Sequence, residues 1–317
     1  LVFPDTVNKL QQIHRDMMWQ NLLLEIDLYQ TAWEICRNYN IWEETCMPYT
    51  FNRRQLLAAG LPAAGFLLAP QLAWSKTQIG SKTVSTLSDG HLTLPLNFIF
   101  PDVPQDELQA LLSPDGGKLE AIEPPCNLTL LEDGERRVLF DAGSGQNFMP
   151  TAGKLGDALA EAGIDAETIT DVIFTHAHPD HLWGIVDDFD EIAFPSAQLH
   201  FPRAEWDYWY DENTVDTIGD ARKTFAVGAR NRLELMEEQV TLFDAGTEVL
   251  PGIEAVDSKG HTPGHTSYVI HGSNGDGVMV VGDAITNAAV SFAKPDWPTG
   301  SDQDPQQGIE TRVALLD

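Results

Sequence analysis

The apolar positions change period several times along the chain, and each change marks out a short element. Apolar/polar alternation predicts strands near 83–88 and 91–94. A stronger pair follows at 126–132 and 136–140, joined by a turn over Glu132–Glu135. Spacing turns helical from Lys154 to Ala162, with Leu155, Leu159 and Ala162 on one face. Asp171–Thr175 reads as a short buried strand and Ala197–Phe201 as another. Thr214 to Glu238 reads as one or two helices. Strands are expected at 240–243, 248–256, 266–271 and 277–282, and a last helix over Asp304–Leu316. Strands and helices interleave without a linker-like segment, so 76–317 is expected to form one α/β domain.

The N-terminal quarter has another character. Residues 1–46 lack glycine and hold Trp19, Trp33, Trp42, Cys36 and Cys46, with a possible helix from Asn8 to Cys36. From Met47 the chain runs through Arg53-Arg54 into an Ala/Leu-rich stretch, and then to small residues around Ala73-Trp74-Ser75. That order resembles a twin-arginine export signal over 47–75, which implies a periplasmic or secreted protein. Residues 1–46 are then expected to be an upstream extension outside the fold.

Composition narrows the function. Of 317 residues 43% are hydrophobic, enough for a sizeable core. Acidic residues outnumber basic ones 48 to 19, for a net charge of −29, and most of the excess lies in 76–317. Such a surface repels a phosphate backbone, so no nucleic-acid partner is expected. No run approaches the about 18 apolar residues of a membrane span, so no stable membrane insertion is expected. Cys126 is alone in 76–317. It excludes an intrachain disulfide there and reads as a small buried apolar residue.

Five of the nine histidines fall in two clusters. The first is His176-Ala177-His178-Pro179-Asp180-His181, just past a predicted strand. His176 and His178 lie two apart and point to one side, and the turn at Pro179 brings Asp180 and His181 back. Three imidazoles and a carboxylate suit Zn²⁺ or a similar divalent ion, and so many ligands in six residues suggest two adjacent ions. The second cluster, Gly260–Thr266, carries His261 and His265. Asp283 ends the apolar strand Val280–Gly282, where a carboxylate needs a partner. His91 and His200 lie outside these motifs and read as surface or satisfied core histidines.

In combination these motifs resemble the metallo-β-lactamase-fold hydrolases over about residues 80–317. The resemblance implies an αββα four-layer sandwich with two divalent metal ions, zinc first, at one edge. It assigns His176, His178 and His261 to one metal and Asp180 and His181 to the other. Asp283 would bridge both, beside a hydroxide. His261 is preferred to His265 because the family's ligand precedes Thr/Ser-Pro/Ser-Gly-His, which puts His265 behind it. Asp141, in Leu139–Gly143, matches the family's acid that orients the metal-binding loop. Asp180 is the candidate general acid. Trp183 is a candidate cleft-lining residue. Trp206 and Trp209 could wall an acyl or aromatic pocket, and could equally pack a helix on the core.

One departure is visible: the family completes its second site with a later His, and no His follows His271. A C-terminally incomplete fold is the expectation. Likeness in Leu87–Gly90 and Ala288–Phe292 is to the branch with methyl parathion hydrolase and the acyl-homoserine lactonases, which implies a neutral ester, lactone or phosphotriester as substrate. A homodimer is compatible with this. Two alternatives are a mono-iron thiol or persulfide oxidoreductase of the same fold and an inactive metal-binding fragment.

Overall fold

The computed structural model describes residues 75–273 and 275–317. The expected extension 1–46 and, apart from Ser75, the export signal with Arg53 and Arg54 lie outside them. Seven strands form the larger sheet: β1 (Lys76–Ile79), β2 (Lys82–His91), β5 (Pro125–Asp133), β6 (Arg136–Phe140), β7 (Asp171–Ile173), β8 (Gln198–Pro202) and β9 (Val240–Phe243), in that spatial order. The smaller sheet is a meander of β10 (Glu248–Leu250), β11 (Ile253–Asp257), β12 (Thr266–His271) and β13 (Gly277–Val280). A two-strand ladder pairs β3 (Leu94–Pro95) with β4 (Ala121–Ile122).

Side-chain alternation builds the layers. On β6, Val138 and Phe140 face the small sheet and meet Ile253, Tyr268 and Ile270. Leu139, between them, faces the opposite core under the helices, with Leu130, Val172, Leu199 and Phe201. Buried on both faces, β6 and β7 are apolar at Val138–Phe140 and Val172–Ile173, while β8 keeps His200, paired with Asp171, between Leu199 and Phe201. The helices Leu155–Glu161, Arg203–Tyr210 and Lys223–Met236 cover that second face, and the fold is the expected αββα sandwich. A third cluster joins Leu96, Ile99, Phe100 and Leu108 to Val290.

The boundaries differ most in three places. The strand expected at 91–94 is instead the end of β2 and the two residues of β3. The run 248–256 is a hairpin, because Pro251-Gly252 turns the chain between β10 and β11. Of the one or two helices expected over Thr214–Glu238 there are two, Thr214–Thr217 and Lys223–Met236, separated around Gly219. The strand expected to reach 282 stops at Val280, and Gly282–Ala284 forms a 3-10 turn. The last helix is Pro305–Leu316, with the Asp304 side chain capping Gln307 N.

Loops after β6, β7, β11 and β13 all emerge at one edge. Thr266 N at the start of β12 donates to Thr175 O at 3.0 Å, which joins the loops of the two sheets there.

Candidate metal centre

Asp141 begins the site. It stands past the end of β6 at φ +65°, an unusual conformation for a non-glycine residue that Asp tolerates better than most. Its Oδ1 accepts from Thr175 N at 2.7 Å, and its Oδ2 accepts from Thr175 Oγ1 and His181 Nδ1, each at 2.8 Å. The single hydroxyl proton of Thr175 is thereby spent on Asp141. His176 Nδ1, 3.0 Å away, must then donate to Thr175 Oγ1, which leaves a lone pair on His176 Nε2. His181 likewise donates from Nδ1, and its Nε2 faces Asp180 and Asp283, where a metal ion would replace its proton.

His261 Nδ1 lies 3.2 Å from Asp302 Oδ1, which accepts its proton, and its Nε2 lies 2.8 Å from His178 Nδ1. Asp283 spans the two groups: Oδ2 is 3.3 Å from His261 Nε2, and Oδ1 is 3.3 Å from His181 Nε2. Two sets of donor atoms lie within 4.8 Å of one another: His176, His178 and His261, and His176, His181 and Asp283. Asp180 belongs to neither set, and its Oδ2 lies 3.4 Å from His181 Nε2.

His265 stands apart from the converging atoms. Its Nε2 accepts from Asp283 N at 3.0 Å, so Nδ1 donates to Ser258 Oγ at 2.8 Å. With both nitrogens engaged by protein it is held neutral. Burial first, then the neighbouring His261, pulls its pKa down to about 3. Gly282 allows this approach: a Cβ there would sit 2.6 Å from His265 Nε2.

The electrostatics favour positive charge at the centre. Burial, with neighbouring imidazoles, holds His176 and His178 well below the usual histidine range. Burial opposes charge on His181 too, but Asp283, Asp180 and Asp141 outweigh it and hold its pKa well above that range. Burial alone would raise Asp283, and His181 and His261 outweigh it to hold the carboxyl far below its ordinary value.

Orphaned atoms test the fit to a metal. Nε2 of His176 is buried without a hydrogen-bond partner, a costly arrangement unless an ion takes its lone pair. His178 Nε2 is also buried and unpartnered, with the rings of Trp209 and Phe225 edge-on at 5.7 and 5.8 Å. His176, His181 and His261, each with Nδ1 held by an oxygen, make with His178 and Asp283 a donor set suited to zinc or a similar divalent ion.

A family model for the metallo-beta-lactamase superfamily matches residues 121–314, more than half of the chain. The chain belongs to the metallo-beta-lactamase superfamily. It is a metal-dependent hydrolase of that superfamily. An N-acyl homoserine lactonase of Bacillus thuringiensis is 24% identical over 211 residues, covering 63% of this chain and 75% of that protein. Hydroxyacylglutathione hydrolase 2 of Vibrio vulnificus is 30% identical over 121 residues, covering 38% of this chain and 35% of that protein. Among solved structures, the dizinc quorum-quenching lactonase AidC, in complex with its product, aligns at TM-score 0.71 and 26% identity. That alignment covers 77% of this chain and 85% of AidC. The hydrolase AbOPH aligns at TM-score 0.70 and 24% identity over 76% of this chain and 84% of its own, a likeness of fold.

Within this metallo-beta-lactamase site the aromatic residues divide. Trp206 and Trp209 take the core alternative: both are buried in the cluster under the helices, so neither walls an open pocket. Trp183 is engaged by packing, with Phe148 at 5.7 Å and the Arg232 guanidinium 4.5 Å above its ring. Phe225, which the sequence pattern did not single out, sits beside His178 and contacts Phe148 at 5.9 Å. Cys126 is half-buried instead of fully buried. Burial and the nearby Asp180 push its thiol up to about 12, which makes it a poor nucleophile. His200 is a satisfied core histidine, 2.9 Å from Asp171 Oδ1, and His91 ends β2.

Three buried carboxylates escaped sequence reasoning. Asp302 is 4% exposed and lies between His261 and Arg312. Asp89 accepts from Ser144 N, Ser144 Oγ, Gly153 N and Leu155 N, which fixes the loop after Asp141. Glu205 accepts four hydrogen bonds: Ala177 N at 3.0 Å and Trp209 Nε1 at 2.6 Å on Oε1, Thr262 Oγ1 at 2.8 Å and Gly264 N at 2.9 Å on Oε2. An acid between Ala204 and Trp206 on a core-facing helix was the only signal for it.

Proposed function

We propose that this chain hydrolyses a neutral lactone or ester at a centre for two divalent ions, zinc first. The carrying observation is the pair of donor sets that share His176, with Asp283 reaching both His261 and His181. Ions held there would supply Lewis acidity and acidify a water molecule near neutral pH. His176, His178 and His261 would hold one ion, and His181, Asp180 and Asp283 the other. Thr175, Asp141 and Asp302 hold the Nδ1 atoms of His176, His181 and His261, which turns the Nε2 atoms of these three toward the ions. Asp180, outside both tight sets and partly exposed, would carry a proton to a leaving group.

The substrate class rests on two supports. The N-acyl homoserine lactonases among the relatives act on lactones, as their names state. The acidic surface and the Phe148–Phe225 wall beside His178 suit a neutral, partly apolar molecule better than a polyanion. Two neighbouring donor sets favour this reading over a one-iron oxidoreductase. Metal analysis of the purified protein should find two divalent ions per chain. The same preparation should hydrolyse an acyl lactone or aryl ester and lose that activity to a chelator. A metal-loaded protein that turns over none of the three classes, lactone, aryl ester and phosphotriester, would refute the proposal. Export through Arg53 and Arg54 belongs to the same reading, and sequencing the N-terminus of the secreted protein tests it.

A further inference from the structure

Glu205 lies on the helix Arg203–Tyr210, outside both donor sets, and is fully buried. A carboxylate in that position is costly unless its lone pairs are used. Among the described residues it has no ion pair, and all four of its recorded partners are hydrogen-bond donors. Their origin is the informative point. Ala177 sits between His176 and His178. Thr262 follows His261, and Gly264 precedes His265. One oxygen therefore grips the first histidine loop and the other grips the second. Histidines 178 and 261 are 83 positions apart in the chain, yet their facing nitrogens lie 2.8 Å apart.

We propose that Glu205 is a positioning residue that sets the spacing between the two histidine loops and so the ion affinity of the His176, His178 and His261 set. This rests on the metal-dependent reading above. Two further contacts fit the role. Gly264 has room only for hydrogen, because a Cβ there would sit 2.1 Å from Glu205 N, so the second loop is seated directly on the helix. Trp209, whose indole N–H shares Oε1 with Ala177, packs its ring edge-on against His178. Glutamine cannot replace the carboxylate. Its amide –NH₂ would face two of the four donors, and one loop would lose its hold.

The test uses the full chain, stripped of metal and titrated with Co²⁺ against a chromophoric chelator. Ligand-field absorption reports geometry and urea unfolding of the metal-free form reports stability. Glu205→Gln should bind its tighter cobalt ion about 10- to 100-fold more weakly, with a changed absorption band. Thr262→Val, which removes one donor and keeps the shape, should weaken the same affinity by about three- to tenfold. A folded Glu205→Gln with parent affinity and parent spectrum overturns the proposal. If that variant does not fold, Thr262→Val decides, and unchanged affinity and spectrum overturn it. A purely structural role would lower urea stability and leave the spectrum of bound cobalt as it was. If the parent chain itself binds no cobalt, the metal reading fails, an outcome distinct from failure of the Glu205 role alone.

Discussion

Asp141→Asn changes one atom in a residue that holds three hydrogen bonds, and its consequence can be worked out for both amide orientations. Asn tolerates the backbone at φ +65° about as well as Asp, so little new strain arises. If the amide oxygen takes the place of Oδ2, it keeps Thr175 Oγ1 and His181 Nδ1. The –NH₂ then faces Thr175 N–H, and a buried donor goes unpaired, at about 1–3 kcal/mol. If the oxygen takes the place of Oδ1, Thr175 N is satisfied and the –NH₂ points at both His181 Nδ1 and Thr175 Oγ1, whose proton must turn to His176 Nδ1. His181 escapes the clash by moving its proton to Nε2 and accepting at Nδ1. Stability is then retained, but the lone pair that faced Asp283 is gone. Either the metal-free protein loses about 1–3 kcal/mol, or the ion at His181 binds about 10- to 100-fold more weakly. Urea unfolding of the metal-free variant measures the first effect, and zinc titration against a chelator measures the second. A variant within about 0.5 kcal/mol of the parent that also keeps both ions at parent affinity would refute the tautomer argument.

Asp302→Ala removes the acceptor of His261 and leaves Arg312 buried with only carbonyl partners. The metal-free protein should lose about 3–5 kcal/mol in urea unfolding. Gly282→Ala puts a Cβ against His265 Nε2 at φ +53°. It should cost about 2 kcal/mol or more by the same assay and displace Asp283, seen as weaker zinc binding. Burial would raise the Asp171 carboxyl, but hydrogen bonds from His200 and Thr170 outweigh it and hold it below its ordinary 3.8. It therefore binds fewer protons folded than unfolded. Its stabilising contribution is present above pH 3.8 and is lost as the pH falls through the lowered native value. Asp171→Asn should accordingly flatten the acid limb of the stability curve measured by urea unfolding from about pH 5 downward.

The elements legible in the sequence were those whose signal is local. Alternation along 126–140 located β5 and β6 closely, and the spacing of His176, His178 and His181 implied convergence at a strand end. The choice of His261 over His265 rested on the family pattern, and the hydrogen bonds of His265 to Ser258 and Asp283 now supply a physical reason to separate them. Pro251-Gly252 was absorbed into an apolar run because the residues on both sides suit a strand. The buried carboxylates were illegible for another reason. Asp89 and Glu205 are satisfied mainly by amides and hydroxyls far away in sequence, Asp302 faces the ring of His261 and the Arg312 guanidinium, and in isolation an acid looks like a solvated one. Trp206 and Trp209 show the converse: an aromatic run on a helix does not reveal which face meets the core.

The donor atoms hang from two different sheets. Asp141, His176, His178 and His181 follow β6 and β7, and His261, His265 and Asp283 follow β11 and β13. Tyr268 of β12, buried where the sheets meet, donates its hydroxyl to Phe174 O, two residues before His176. An ion held by both sets is therefore a rivet through the sandwich, and capturing it and docking the sheets are coupled equilibria. By thermodynamic reciprocity, whatever loosens the apolar seam around Tyr268 must weaken ion binding, and each bound ion must tighten that seam by the same free energy. Ion occupancy should thus register in the slow amide exchange of strands that touch no ligand.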